Sequence, residues 1–141
     1  MKLLERTFLL RKEFISAAVE NALLTELGRK LKRFRWNDGH FDGKICNYRE
    51  FMVSDLGEFP ALQALVQSDE LKALVLDRPL LPVHVLELRR DGIIKAHIDN
   101  HAYSGRMIAA VSLGEDSQMT LQRGSECYTI NLPRRSFYRQ M

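Results

Sequence analysis

The chain has 141 residues, 45% of them apolar and 28% charged. That is enough for one domain with a sizeable core and too little for two, and no apolar run approaches the roughly 20 residues of a membrane-spanning helix. With 21 Lys and Arg against 18 Asp and Glu the net charge is +3, which admits an anionic partner without requiring one.

In chain order, "RTFLL" (6–10) reads as a short strand. Ser16 is a candidate N-cap for a helix whose apolar stripe is Val19, Leu23, Leu27, Leu31 and Phe34, with Gly28 an early stopping point. The end of that segment, "GRKLKRFR" (28–35), gathers much of the positive charge. It reads as a solvated helix end, or alternatively as a phosphate-, membrane- or nucleic-acid-facing patch with Trp36. "WNDGHFDG" (36–43) holds two Asp-Gly pairs and predicts a turn region. "KICNYREFMV" (44–53) predicts a strand, with Ile45, Asn47, Arg49 and Phe51 alternating against Cys46, Tyr48 and Glu50. After Pro60 one helical segment is expected, carried by Leu62, Leu65, Val66, Leu71, Leu74 and Val75 and closed by Pro79 and Pro82. From there the chain is a series of short β-forming runs: "VHVLEL", "GIIKAHID", "RMIAAVSL", "SQMTLQR", "CYTINL" and "RRSFY". Their spacing predicts a meandering antiparallel sandwich or jelly roll behind an N-terminal helical part. Cys46 and Cys127 lie far apart and in no C-x-x-C spacing. That argues against structural zinc and favours a reducing compartment.

One pair carries chemistry. On a strand, His97 and Asp99 project to the same side, because side chains repeat every second residue. An imidazole beside a carboxylate supplies two legs of the 2-His-1-carboxylate triad that leaves open positions on Fe(II). His101 is the nearest further candidate, but four strand residues put it about 13 Å from His97. Two imidazole arms with their metal bonds fall just short of that gap, so His101 serves only if the chain bends after Asp99. His84 reads as a strand residue and His40 as part of the turn.

The stretch "LLPVHVLELRRDGIIKAHIDNHAYSGRMIAAVSLGEDSQMTL" (80–121) resembles the AlkB-like Fe(II)/2-oxoglutarate dioxygenases, and within them the mitochondrial homologue-seven branch. The similarity includes "VHVLEL", a Gly five residues before His97, the "HID" pair, the following Ser-Gly and "IAAVSLG", with "HFDGKICNYRE" upstream and "LPRRSFY" downstream. It runs from about Phe14 to Tyr138. The resemblance implies an α+β fold: helices (about 1–78) packed on an antiparallel double-stranded β-helix, or jelly roll (about 79–141), in one domain. It implies His97 and Asp99 as Fe(II) ligands and Tyr138 as a contact to 2-oxoglutarate. It also implies oxidative hydroxylation or demethylation of a protein or a methylated RNA.

Two departures are visible. The Asn-x-Tyr element of the nucleic-acid-repairing members is replaced by "LEL" (86–88), as the mitochondrial branch leads one to expect. The family's distal iron His and its 2-oxoglutarate Arg lie well downstream of the His-x-Asp pair, and no His follows His101 here. The expectation is therefore a C-terminally shortened jelly roll without its closing strands, marginally stable unless a partner covers the open sheet edge. Ile108, Ala110 and Tyr128 are then inward-facing residues without opposite neighbours. The alternative function is a catalytically inactive fragment or isoform acting as a binding module. Location follows the resemblance, to the mitochondrion. The N-terminal Lys2, Arg6, Arg11 and Lys12 alternate with Glu5 and Glu13 and make a poor transit peptide, so the cytoplasm is the other option.

Overall fold

A computed structural model describes residues 7–39, 45–79, 82–95 and 106–141. In chain order the elements are β1 (Phe8–Arg11), α1 (Ala17–Leu31), β2 (Asn37–Gly39), β3 (Ile45–Met52), a 3-10 turn (Leu56–Glu58), α2 (Pro60–Val66), α3 (Asp69–Leu74), β4 (His84–Ile94), β5 (Ile108–Val111), β6 (Ser117–Arg123), β7 (Glu126–Leu132) and β8 (Phe137–Gln140). The fold is mixed α+β, with the helices in the N-terminal half and small antiparallel sheets around them.

Helix α1 begins as its sequence requires. Ser16 is extended and its hydroxyl accepts the Val19 N–H at 3.1 Å. The buried stripe differs from the expected one: Glu20, Leu23, Leu27 and Leu31 face inward, while Val19 is 39% exposed. A carboxylate replaces Val19 on the core face because it finds cationic partners there. The helix also runs through Gly28, where an added Cβ would meet nothing within 4 Å. The glycine is neither a cap nor a close contact, so Gly28 only weakens the helix.

The helix expected after Pro60 is two helices. Ser68 separates them: its hydroxyl donates to the Leu65 carbonyl at 2.7 Å and accepts from the Leu71 N–H at 3.3 Å. One side chain thus closes α2 and opens α3. Phe59, at the N-cap of α2, offers no side-chain cap. Glu26 of α1 supplies it instead, accepting the Ala61 and Leu62 N–H groups at 2.9 and 3.1 Å. That places a negative charge at a helix N-terminus and joins α1 to α2.

The strands form three antiparallel sheets, ordered β1-β8-β5, β2-β3-β4 and β6-β7. Residues 37–39, expected within a turn, instead pair with β3. "VHVLEL" and the start of "GIIKAHID", expected as two strands, are one strand, β4, interrupted by a bulge. Between the pairs Tyr48↔Leu88 and Cys46↔Ile93, β3 advances two residues and β4 five. Asn47 takes φ 55° there and its side-chain amide reaches the Asp91 carbonyl at 3.5 Å. The β6–β7 hairpin turns on Gly124 (φ 59°) and Ser125, as a two-residue hairpin loop demands. Its two faces separate cleanly. Gln118 bonds Asn131 on the polar face, and Met119, Leu121, Tyr128 and Ile130 are half-buried on the other.

Two clusters make the core. Ile15, Leu23, Leu27, Leu31, Phe51, Val53, Phe59 and Leu62 join α1, α2 and the end of β3. Leu71, Val75 and Phe137 join α3 to β8. Val111 of β5 packs against both.

Candidate functional site

His97 and Asp99 lie outside the described residues, as do His101 and His40. In sequence, both proposed ligands come after β4 (His84–Ile94) and before β5 (Ile108–Val111). Among the described residues no group of three His, Cys, Asp or Glu side chains could hold a metal. His84 is where the sequence put it, on a strand. Its Nε2 lies 2.6 Å from Glu50 on β3, an exposed cross-strand pair with no further ligand among the described residues.

Tyr138 is described. It sits on β8, the central strand of its sheet, opposite Leu10 of β1 and Ala110 of β5. Its neighbours Phe137 and Arg139 turn to the helical side. Phe137 is buried against Leu71 and Val75, and the Arg139 guanidinium donates to the Leu74 carbonyl at 2.7 Å. By alternation Tyr138 turns to the opposite side, where its ring stacks on Phe8 at 5.7 Å. Ile108 and Ala110, expected inward-facing, are half-buried on β5, in ladder register with Gln140 and Tyr138 of β8. Tyr128 lies on β7, half-buried, and its hydroxyl donates to Glu126 at 3.0 Å.

The turn that leads into β8 is organised around Glu20. Its carboxylate is 1% exposed, and it accepts from Arg134 at 2.7–3.2 Å, from Arg135 at 3.4 Å and from the Gly114 N–H at 3.0 Å. The Arg134 hydrogen bonds, chiefly, hold the Glu20 carboxyl below the usual carboxylate range, against the opposing effect of burial and with help from Gly114. The same pairing makes the Arg134 guanidinium harder to deprotonate. The backbone around it is interlocked. Arg135 adopts φ 69°, its N–H donates to the Ser112 carbonyl at 2.7 Å, and its carbonyl accepts Phe14 N–H at 2.9 Å. Ser112 N–H in turn donates to the Ser136 carbonyl at 2.9 Å. Helix α1, the end of β5 and the turn before β8 therefore meet at one buried carboxylate, whose partner Arg134 lies three residues before Phe137. The sequence carried a signal for this group, an Arg-Arg pair ahead of "SFY" and an acid in a helix's first turn, but nothing in it joined the two.

Two hydroxyl groups bear on whether a carboxylate co-substrate suits this strand. Tyr138 presents one on the side away from α3. Ser136, two residues earlier, is fully buried, and its Oγ has no hydrogen-bond partner among the described residues. A buried hydroxyl left unsatisfied is a donor still to be used. Hydroxyl groups can donate to an anionic oxygen, and they do not by themselves suit a metal, whose donors would have to come from His97 and Asp99.

No protein-family model matches the chain. Two curated proteins do. The chain is 37% identical over 114 residues to the mouse (Mus musculus) protein named alpha-ketoglutarate-dependent dioxygenase alkB homolog 7, mitochondrial, an alignment covering 80% of this chain and 51% of that protein. It is 35% identical over 124 residues to the bovine (Bos taurus) protein of the same name, covering 87% of this chain and 55% of that one. The chain thus spans about half the length of the curated relatives it matches.

Proposed function

We propose, from the homology of this chain with the mitochondrial alkB homolog 7 dioxygenases, that it carries the first two iron ligands and one 2-oxoglutarate contact of an Fe(II)-dependent dioxygenase, without the family's distal iron His. The observation that carries the reading is that homology, extending over four-fifths or more of the chain. In this reading the small antiparallel sheets belong to a jelly roll. His97 and Asp99 hold the iron, and the Tyr138 hydroxyl holds a carboxylate oxygen of 2-oxoglutarate. When bound, iron would activate dioxygen, the oxidant, with 2-oxoglutarate giving two electrons by oxidative decarboxylation and the substrate C–H bond giving the other two, in hydroxylation or demethylation. The protein's own part is to orient these groups and exclude water. The interlocked turn before β8 supports that role, because it fixes Tyr138 on a central strand rather than a loop. The proposed substrate is a protein or a methylated RNA, and the proposed location is the mitochondrion named for the relatives.

Anaerobic titration with Fe(II) and 2-oxoglutarate tests the reading. A visible charge-transfer band is expected, lost in His97→Ala and in Asp99→Ala, with weaker 2-oxoglutarate binding in Tyr138→Phe. Absence of the band together with absence of 2-oxoglutarate turnover would leave the chain as a non-catalytic binding module of the same ancestry.

A further inference from the structure

The run Gly28–Trp36 holds five cations and no acid, and the proposed chemistry uses none of them. Lys30 is half-buried and lies over the Phe51 and Phe59 rings, 4.9 and 5.5 Å from their centroids. The other four, Arg29, Lys32, Arg33 and Arg35, are exposed. Among the described residues none of these four has an ion-pair partner. Two aromatic rings belong to the same run. Phe34 is 40% exposed and stacks on Phe51 of β3, and Trp36 is 37% exposed beside Arg49 of the same strand. Arg49 and Phe51 are two residues apart on β3 and so share a face. Phe34 and Trp36 therefore lie side by side along it.

From this surface we infer that the α1–β2 corner docks on an anionic lipid bilayer. Four unpaired cations with half-exposed aromatic rings among them fit a headgroup layer, where charge attracts and the rings settle at the interface. A single strand of nucleic acid fits less well. It needs free ring faces for its bases and a groove for its backbone. Here the Arg49 guanidinium covers the Trp36 ring at 4.2 Å, with Arg89 at 5.7 Å, and Glu87 pins Arg49 at 2.7 Å. One face of Phe34 is taken by Phe51. The best-formed hollows among the described residues are lined by residues 116–118, 131 and 133 and by residues 52–56, 66 and 82–83, and none of the corner's cations or exposed rings lines them.

Trp36 is the sole tryptophan, so its fluorescence reports on the corner in the intact chain. Titration with vesicles of phosphatidylcholine, with and without phosphatidylglycerol, is the experiment. A blue-shifted Trp36 emission and co-sedimentation are expected with the anionic vesicles alone, weakening as salt rises. Each cation removed costs about five-fold in partitioning, so Lys32→Gln/Arg33→Gln/Arg35→Gln should lose roughly a hundred-fold. The control Lys12→Gln/Arg78→Gln/Arg123→Gln removes the same charge from exposed positions elsewhere and should lose far less. No binding to anionic vesicles at low salt, equal binding to neutral ones, or an equal loss in the control overturns the inference. So does tight binding of single-stranded RNA at this corner that anionic vesicles fail to displace. Far-UV circular dichroism of both triple variants checks that the fold is intact.

Discussion

Glu20 illustrates what a single side chain decides here. A carboxylate on the core face of an amphipathic helix is costly unless it is paired and hydrogen-bonded. Glu20 has two guanidinium partners and a backbone N–H. Glu20→Gln removes the charge while keeping the shape. It should cost about 1–3 kcal/mol in urea unfolding at neutral pH, less than for a fully enclosed pair because both arginines reach solvent. The pH dependence has a definite sign. The folded pKa is lowered, so the stabilisation is present in full above the ordinary carboxylate pKa of about 4.3 and is lost as pH falls through the lowered value. The stability gap between the native chain and Glu20→Gln should therefore shrink on acidification below about pH 4. A gap constant down to pH 2 would show that Glu20 acts by packing and not by charge.

Among the elements, the β3–β4 ladder is set by one glycine. An added Cβ at Gly92 would lie 2.7 Å from the Asn47 carbonyl oxygen and 3.0 Å from two backbone atoms of Arg89. Backbone atoms cannot swing aside, so Gly92→Ala must open the bulge, at a cost of about 1–3 kcal/mol. Gly28→Ala is the matched comparison. It adds a methyl group to open space in α1 and should stabilise by about 0.5–1 kcal/mol. Opposite shifts in the urea midpoint are expected, and shifts of the same sign would refute the steric account. The sequence marked Gly92 through its place before His97, in a family pattern. Only the ladder shows why a side chain is excluded there. The boundary between α2 and α3 is a similar case. Its cap residue, Ser68, was in plain sight, but a continuous apolar spacing on both sides hid the break.

For the whole molecule, β8 joins the two ends of the chain. Phe8 pairs with Gln140 and Arg11 with Phe137 on one side, and β5 pairs on the other. Pairings of such sequence separation form late and slowly. The long strand β4 pairs with β3 alone among the described residues, and its Ile93 and Ile94 are exposed. An edge of that length and character recruits other strands. Concentration-dependent association is expected by light scattering at micromolar protein, reduced by a Lys at position 93. A sharp, reversible unfolding transition of a persistent monomer would count against it.

The sequence by itself determined the local elements: the Ser16 cap, the helix after it, the strand at 44–53, the β-rich second half and the kinship carried by the run 80–121. These rest on neighbours three, four or two residues apart, which a linear reading sees. The tertiary structure alone decided the partners. It placed Glu20 in the core with Arg134 and Arg135, made Glu26 the cap of α2, merged two expected strands into β4, and set Tyr138 between the first strand and the fifth. Each of these joins groups 35 or more residues apart in the chain or depends on which strand lies alongside. Burial and pairing energies of that kind appear only when the chain has closed on itself.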